Sequence, residues 1–375
     1  MIEEKGALQR LEGQSVPLEQ KEEWYLFWLS NLPGIGLRTL QRLIRHFGNA
    51  ESVSNASCHE LERVAGLSAP CRDKILDREG RRRSQKSWMD LQKQEIHYIS
   101  FFHEKYPKLL RNLCDAPKHL YVKGRLPDVS KCSVGIIGAR ECTMYGRDMA
   151  RMFGYRLAEA GVQVISGMAR GIDGWAHQGA LESGGSTYAV LGCGVDICYP
   201  AVHRRLYDSI CRQGGILSEL PVGTTARAGF FPMRNRIISG LSDGILIVEA
   251  REKSGSLITA DAALEQGRDV FVIPGRIGDE LSVGCNRLIR QGAVPVLSPS
   301  DILDYYGISL QKVLDDGNMQ SWEREILHML AEQPVHMSEL AQKTGVCQAD
   351  LMRRLIKWKK EGRIREISRG YFSGS

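Results

Sequence analysis

The chain has 375 residues, of which 43% are hydrophobic and 25% are charged, so it can bury the cores of two or three domains. Its formal net charge of +6 permits a polyanionic partner, and no apolar run approaches the roughly 20 residues that a membrane-spanning helix needs. Because the N-terminal segment is polar and unlike a signal peptide, we expect a cytoplasmic protein.

The ten cysteines are scattered singly, without a Cys-x-x-Cys pair. Cysteines within apolar strands of an α/β chain are typical of reduced core residues in a cytosolic protein. We therefore expect no metal site and no cofactor.

Residues 22–78 show short stretches with apolar residues at helical spacing. The segment "LPGIG" places Pro33, Gly34 and Gly36 in a tight turn before a helix, which is typical of a helix-hairpin-helix. The free amides of such a turn can meet a phosphate, and the alternative is that the hairpin serves only packing or dimerisation. Ala65-Gly66-Leu67 is a degenerate second copy. We predict a helical helix-hairpin-helix or SAM-like domain over residues 1–85.

Three consecutive arginines, Arg81, Arg82 and Arg83, occupy a charged helical segment over residues 79–93. They could form a phosphate-binding patch, but such a run is more often the solvated face of a helix. We favour the solvated face.

Apolar runs of strand length alternate with amphipathic helical stretches from residue 133 to residue 304. The predicted strands are Val134–Gly138, Val162–Ser166, Thr187–Leu191, Ile216–Ser218, Ile245–Glu249, Val270–Ile273 and Val294–Val296. Runs this apolar suit parallel strands covered on both faces. The pattern predicts an α/β, Rossmann-like, doubly wound and mainly parallel sheet over residues 86–304, with a ligand beyond the carboxyl ends of the strands.

The periodic pattern is lost over residues 305–320, which we interpret as a linker. It returns over residues 321–375 as three helical stretches and a basic β-ribbon, which is the order of a winged helix. Ten lysines and arginines against seven acidic residues give this segment a formal charge of +3.

The loop that follows the first predicted strand contains Gly138-Ala139-Arg140. A dinucleotide-binding loop reads G-x-G-x-x-G, so Arg140 stands where the second glycine belongs. Dinucleotide binding thereby loses its main support, and an arginine at this position can bind a phosphate through two donors instead.

The second loop, residues 166–181, combines two glycines, Gly167 and Gly171, with the cation Arg170. Asp173 can cap the helix that follows. His177 lies in that helix, where it is either catalytic or, as we favour, a packed and hydrogen-bonded side chain.

The third loop, "FFPMRNR", places Phe231 before a proline that we predict at the first position of a helix. Arg234 and Arg236 lie two residues apart and so point to different sides of that helix. One is expected to hold a ligand, while the other, with Asn235, braces neighbouring loops.

The fourth loop runs through Lys253, Ser254, Gly255 and Ser256 into a helix whose N-terminal amides suit an anion. Further on, Asn286 follows a glycine and adds a polar side chain.

These loops carry many phosphate ligands and an aromatic side chain that can stack on a base. They lack a P-loop lysine, a nucleophile–base pair and a carboxylate cluster for a metal. A basic groove with an aromatic platform is what single-stranded nucleic acid binding requires, so we predict a binding protein without catalytic residues.

Six blocks of the sequence together resemble the DNA processing protein A family, also called DprA or Smf. They are "GARECTMYG", "SGMARGIDGWAHQGAL", "VLGCGVDICYP", "LSELPVGTTARAGFFPMRNRIISGLSD", "EAREKSGSLITA" and "VGCNRLIRQGA", in the order of the family. The resemblance covers residues 25–304 well and the predicted winged helix more loosely.

The resemblance implies a non-enzymatic recombination mediator. Members bind single-stranded DNA taken up during natural transformation, limit access of single-strand-binding protein and nucleases, help to load the RecA recombinase, and commonly form homodimers. The DNA-binding residues predicted from the loops and the resemblance are Gly138, Arg140, Gly167, Arg170, Gly171, Phe231, Arg234, Asn235, Arg236, Lys253, Ser254, Gly255, Ser256 and Asn286.

Two other classes of function stay open from the sequence. One is a Rossmann-like protein that senses or hydrolyses nucleotides, similar to the cytokinin-riboside phosphoribohydrolase group. That group has a glutamate near a P-G-G-x-G-T loop, whereas here the strand end reads "SGSLIT" and Glu265 comes later, two turns down the helix. Release of free base from nucleoside monophosphates would reveal this activity. The other is a winged-helix transcription regulator, which a footprint on duplex DNA would reveal.

Overall fold

The computed structural model describes residues 18–308, 320–332, 334–360, 364–368 and 370–374. The chain divides after Ile308 into two compact units. Residues 1–17 of the predicted first domain, and residues 309–319 of the predicted linker, lie outside the described residues.

In the described part of the chain, helices alone precede the first strand. They are α1 (Leu18–Asn31), α2 (Leu37–Phe47), α3 (Ala50–Asn55), α4 (Cys58–Glu62), α5 (Ala69–Leu76) and α6 (Arg78–Lys93). Helix α6 runs without a break through residue 85, where the sequence suggested a boundary. The helical segment also shares a core with the sheet, since Phe27 packs edge-on against Tyr98 at 5.3 Å between ring centroids.

Two turns of the helical segment are linked by reciprocal hydrogen bonds, because a side chain from beyond each turn donates to a carbonyl of the other. Gly34 and Gly66 both adopt a positive φ, of 89° and 71°, which a glycine tolerates without strain. Lys74, beyond the second turn, donates to the carbonyl of Pro33 in the first at 3.0 Å. Arg42, beyond the first turn, donates to the carbonyl of Ala65 in the second at 2.7 Å. Each turn is therefore held by the helix that follows the other.

The three consecutive arginines have separate environments, so the expectation of one solvated face is wrong for Arg81. The Arg81 guanidinium lies over the Trp28 ring at 4.5 Å and donates to the carbonyl of Ser54 at 2.9 Å. Arg82 is exposed, and Arg83 lies 3.4 Å from the carboxylate of Asp77. Arg81 is thus a brace between helices.

A nine-stranded sheet forms the centre of the first unit. Its strands are β1 (Ile96–Ser100), β2 (His119–Gly124), β3 (Ser133–Ile137), β4 (Gln163–Ser166), β5 (Thr187–Val190), β6 (Gly215–Ser218), β7 (Gly244–Ile247), β8 (Asp269–Val272) and β9 (Val294–Pro295). The order is β1-β2-β6-β5-β4-β3-β7-β8-β9. The last seven strands in this order, β6-β5-β4-β3-β7-β8-β9, are all parallel. The seven strands predicted from the sequence are confirmed, each to within two residues at its ends.

Helices cover both faces of the sheet, which explains why the parallel strands are almost wholly apolar. They are α7 (Lys108–Arg111), α8 (Met144–Glu159), α9 (Ile172–Glu182), α10 (Arg204–Gln213), α11 (Phe230–Gly240), α12 (Gly255–Glu265), α13 (Val283–Arg290) and α14 (Pro299–Tyr305). Helices α8, α9 and α14 contribute to one core cluster, and α11, α12 and α13 to another. The strand order reverses between β3 and β7, where a doubly wound sheet offers its ligand crevice.

Strands β1 and β2 extend the sheet in antiparallel register and were not predicted. They carry buried polar side chains whose partners lie on α1. The His119 ring is 3.0 Å from the hydroxyl of Ser30, and Tyr121 donates to the side chain of Asn31 at 2.9 Å. A buried polar residue whose partner is distant in sequence is predicted to lie at the surface, so the local pattern does not indicate these strands.

The second unit has its own small core and a three-stranded antiparallel sheet of order β10-β12-β11. Its elements are α15 (Ser321–Glu332), β10 (Val335–His336), α16 (Met337–Thr344), α17 (Gln348–Lys360), β11 (Ile364–Ser368) and β12 (Tyr371–Gly374). Leu351, Leu355 and Trp358 bury one face of α17 in this core.

The described helices include none with the length and apolar character needed to cross a bilayer. All ten cysteines are free, but only Cys71, Cys193 and Cys285 are buried. Cys58 and Cys114 are exposed and lie outside the strands, so the expectation of core cysteines does not extend to them.

Candidate nucleic-acid interface

A groove of about 720 Å³ opens at the carboxyl ends of β3 and β7, where the strand order reverses. We call it the strand-end groove. The loops after β3 and β7 and the first turns of α11 and α12 form its walls. Among its lining residues are Gly138, Arg140, Glu141, Asp173, Tyr199, Phe231, Pro232, Arg234, Asn235, Arg251, Lys253, Ser254, Gly255 and Ser256. Four cations thus face two carboxylates, which gives the groove a positive balance.

The N-terminus of α12 forms one wall of the strand-end groove. Ser254 caps the helix, because its hydroxyl accepts from the amide of Ser256 at 3.3 Å. Other first-turn amides have no intrahelical acceptor and carry the positive end of the helix dipole. The exposed Lys253 immediately precedes this turn. The wall therefore suits a phosphate.

An aromatic cluster forms the opposite wall. The Arg140 guanidinium lies over the Phe231 ring at 5.0 Å from its centroid, and the Tyr199 ring lies 5.7 Å from the same centroid. Phe231 also packs on the backbone of Gly192, where a Cβ would come within 2.9 Å of the ring. Tyr199 keeps 46% of its surface exposed. The cluster offers an aromatic ring and a guanidinium plane to a base, both of which stack on nucleobases.

Arg234 is buried beneath the groove, with 5% of its surface exposed. Its Nη1 donates to the carbonyl of Val190 at 2.6 Å, while its Nε has no hydrogen-bond partner. Burial lowers the pKa of Arg234, and the nearby Asp173 opposes that shift. Burial raises the pKa of the Asp173 carboxyl, against the opposing effect of Arg234. A charged pair without full hydrogen bonding therefore lies under the groove.

Gly167 permits this burial of Arg234. A Cβ on Gly167 would lie 1.9 Å from Nη1 of Arg234, so any side chain there would displace the guanidinium. The Asp173 carboxylate accepts from the amides of Gly167 and Ala169, at 3.2 and 3.4 Å. Gly167 is thus a packing residue and does not line the groove.

Two local predictions are wrong. Asp173 does not cap α9, because Gly171 is the N-cap and the carboxylate instead holds the preceding loop. Pro232 is the third residue of α11 rather than the first, since the helix begins at Phe230. A proline fits there because first-turn amides need no intrahelical partner.

Several predicted site residues lie outside the strand-end groove. Arg236 points to the other side of α11, where it pairs with Glu219 at 2.6 Å and with Asp115 at 3.1 Å. Asn286 exchanges hydrogen bonds with the backbone of Gly275, at 3.2 and 3.0 Å. Arg170 and Gly171 do not line the groove either. For Arg236 and Asn286, the partners belong to remote segments of the chain.

The groove residues missed from the sequence include Tyr199 and Arg251. Tyr199 stands before a proline in a loop after β5, and this aromatic at a strand end was a signal that could have been used. Arg251 follows β7 by four residues and lies 3.6 Å from Glu280. Asn235, which was predicted, donates to the carbonyl of Gly255 at 3.3 Å and so links α11 to α12.

Residues that the catalytic alternatives require lie apart from the groove. Glu265 is the last residue of α12 and does not line it. His177 is fully buried and its Nδ1 lies 2.6 Å from the hydroxyl of Thr187, so the interpretation as a packed side chain is confirmed. Within the described residues, no group of three or more acidic, histidine or cysteine side chains could hold a metal.

The buried His177 ring is expected to make the stability of the protein depend on pH. Burial, with smaller effects from His203 and Arg234, lowers its pKa from 6.5 to about 3. Between these values the unfolded chain binds a proton that the folded chain rejects, so stability falls as the pH falls. We expect His177→Asn, which keeps a donor to Thr187, to remove up to about 1.4 kcal/mol per pH unit of this dependence.

Urea unfolding at a series of pH values measures this effect. His119, which burial also holds at a pKa of about 3, remains as a common background in both proteins. Identical pH dependence in the variant and the parent would show that His177 does not titrate on unfolding.

Comparison with known proteins identifies the family. The model of the family DNA recombination-mediator protein A matches residues 97–307. Protein Smf of Escherichia coli (strain K12) is 38% identical over 292 residues, which cover 75% of this chain and 78% of that protein. The chain therefore belongs to the DNA recombination-mediator protein A family, the DprA/Smf family that the motifs resembled.

Solved structures of the family share the fold. DNA processing protein A from Streptococcus pneumoniae has a TM-score of 0.65 and 33% identity, over 75% of this chain and 97% of that one. DNA processing protein A from Helicobacter pylori has a TM-score of 0.51 and 30% identity, over 56% of this chain and 95% of that one. The structural work on the Helicobacter protein describes how it binds single-stranded DNA.

Proposed function

We propose that this protein binds single-stranded DNA in the strand-end groove and acts as a recombination mediator. The observation that carries the proposal is the pairing, in one groove, of a cationic helix N-terminus with the cluster of Arg140, Phe231 and Tyr199. Backbone phosphates would meet Lys253 and the first turn of α12. A base would stack against the aromatic cluster.

The groove has the means to hold a strand but no evident means to cleave one. Its carboxylates are Glu141 and Asp173, and Asp173 is engaged with backbone amides and faces Arg234. We therefore propose a binding role without catalysis. Membership of the family supports the finer proposals that the bound DNA is taken up during natural transformation, shielded from nucleases and single-strand-binding protein, and passed to the RecA recombinase by a homodimer.

The appended elements suggest further roles on the DNA. We propose that α1 to α5 form a helix-hairpin-helix segment, on the evidence of the two turns at Gly34 and Gly66. We propose that the second unit is a winged helix, since its order of helices and strands fits that class. Its formal charge of +3 over residues 321–375 is compatible with a nucleic-acid contact.

Fluorescence anisotropy with labelled single-stranded and duplex oligonucleotides, over a salt series, tests the main proposal. We expect single strands to bind more tightly than duplexes and to dissociate steeply as salt rises. Equal affinity for both forms would contradict the proposal and would favour the second unit as the nucleic-acid contact.

Lys253 should contribute an electrostatic contact. Each phosphate neutralised on a single strand adds about 0.7 to the slope of log affinity against log salt. We therefore expect Lys253→Ala to reduce the slope by about that amount. Arg290→Ala is the matched control, because Arg290 is exposed but does not line the groove. An unchanged slope for Lys253→Ala, or an equal loss in both variants, would remove Lys253 from the site.

A further inference from the structure

The strand-end groove is continued by two other grooves on the first unit. The flank groove has a volume of about 810 Å³. It is lined by Asn112–Asp115, Pro232, Met233, Arg236, Ala262, Glu265, Gln266 and Arg268. The hairpin groove, of about 460 Å³, is lined by Gly36–Thr39, Gln41, Phe101, Arg111 and Leu113–Ala116. The strand-end and flank grooves share Pro232, and the flank and hairpin grooves share Leu113–Asp115. Each groove therefore borders the next through shared residues.

Unpaired polar atoms lie along the flank groove. Nη1 of Arg236, Nε of Arg268 and Oε1 of Gln266 are buried and have no hydrogen-bond partner. Leaving such atoms unpaired costs free energy. Two of the three belong to guanidinium groups, so donors outnumber acceptors. Residues that line the flank groove thus carry more unmet donors than unmet acceptors.

The charge along the two outer grooves favours an anion. Their cations are Arg38, Arg111, Arg236 and Arg268, and their carboxylates are Asp115 and Glu265. Arg236 is already paired with Asp115 at 3.1 Å and with Glu219 at 2.6 Å, so Arg38, Arg111 and Arg268 carry the remaining positive charge against Glu265. Met233, with 49% of its surface exposed, and Phe101 add apolar surface on which bases can rest. This mixture matches the requirements of a single nucleic-acid strand.

We infer that a strand held in the strand-end groove leaves it across Pro232 and continues through the flank groove to the hairpin groove, where Arg38 meets its backbone. The inference rests on the proposed function and extends it, since it adds a second binding segment and joins the helical segment to the DNA site. It predicts that long oligonucleotides gain affinity from contacts that short ones cannot reach.

Cys114 provides a probe in the native protein. It is exposed and lines both outer grooves, at their junction. Cys58 is also exposed but lines neither groove, so it serves as the internal control. We expect a long oligothymidylate to slow alkylation of Cys114 strongly and that of Cys58 little, as measured by mass spectrometry of the labelled peptides. A short oligothymidylate that fills only the strand-end groove should protect neither thiol.

Arg38→Ala and Arg45→Ala form a matched pair for the same question. Both residues are exposed on α2, but only Arg38 lines the hairpin groove. We expect Arg38→Ala to weaken binding of long oligothymidylates several-fold, to lower their salt slope by about 0.7, and to leave short ones unaffected. Arg45→Ala should behave as the parent protein does with both.

The outcomes separate this inference from the proposed function. If short oligothymidylates bind tightly but long ones neither protect Cys114 nor depend on Arg38, the path is wrong and the strand-end site stands. If short ones do not bind at all, the proposed function itself fails. Protection of Cys114 without DNA, lost on dilution, would assign the outer grooves to a second copy of the chain and overturn the inference.

Discussion

Replacement of Arg234 by methionine is expected to lower the free energy of unfolding by about 3 kcal/mol, the size of effect seen when one partner of a buried charged pair is removed. The guanidinium is buried, donates to the carbonyl of Val190 at 2.6 Å, and opposes the desolvation of Asp173. Methionine fills similar space but leaves the Val190 carbonyl without this donor and Asp173 without a neighbouring positive charge. Urea unfolding, followed by circular dichroism, measures the loss.

A second substitution tests the cause of that loss. Because the cost arises from an uncompensated carboxylate, Asp173→Asn in the Arg234→Met background should recover part of it. Arg290→Met, at an exposed position, should unfold at nearly the urea concentration of the parent. If Arg234→Met also unfolded at the parental concentration, the buried charge would have no role in stability, and its function would lie with the ligand alone.

Replacement of Phe231 by alanine is expected to weaken single-stranded DNA binding by about 1–3 kcal/mol, the range for loss of one base-stacking side chain. The ring has the Arg140 guanidinium at 5.0 Å and Tyr199 at 5.7 Å from its centroid, so it also positions both of these groups. Its loss removes a stacking surface, while Tyr199 and Arg140 stay in the groove. Fluorescence anisotropy at constant salt gives the change in affinity.

The neighbouring residue supplies the control for Phe231. Phe230 is part of the same helix turn but does not line the strand-end groove, so Phe230→Ala should retain near-parental affinity. Phe231→Tyr, which keeps the ring, should bind nearly as the parent does. Because Phe231 contacts no phosphate in this scheme, its loss should leave the salt slope unchanged. A lower slope, or equal losses for both phenylalanines, would contradict a stacking role.

The parallel sheet could be predicted because its signal is local. Seven runs of apolar residues at regular separation indicate strands that are covered on both faces, and each run is a strand in the structure. β1 and β2 could not be predicted in the same way. Their buried polar residues depend on partners in α1; His119, for example, lies 89 residues from Ser30 in sequence.

The candidate site was predicted in part for the same reason. Arg140, Lys253 and the turn at Ser254 lie in the loops that follow β3 and β7, and the carboxyl ends of parallel strands meet at one edge. Asn286 and Arg170 also follow strands of the sheet, but they lie outside the groove. Proximity to a strand end therefore selects candidates without fixing where each side chain points.

The sequence by itself determined the parallel sheet and the edge at which a ligand is expected, because strand periodicity and glycine-rich loops are read from neighbouring residues. The six motif blocks indicated the family in the same local way. Only the tertiary structure decided how the two arginines of "FFPMRNR" divide their roles. Arg234 is buried against Asp173 and Val190, whereas Arg236 pairs with Glu219 and Asp115. These partners come from four other segments of the chain, and a charge acquires its energy from what surrounds it in space rather than from its neighbours in sequence.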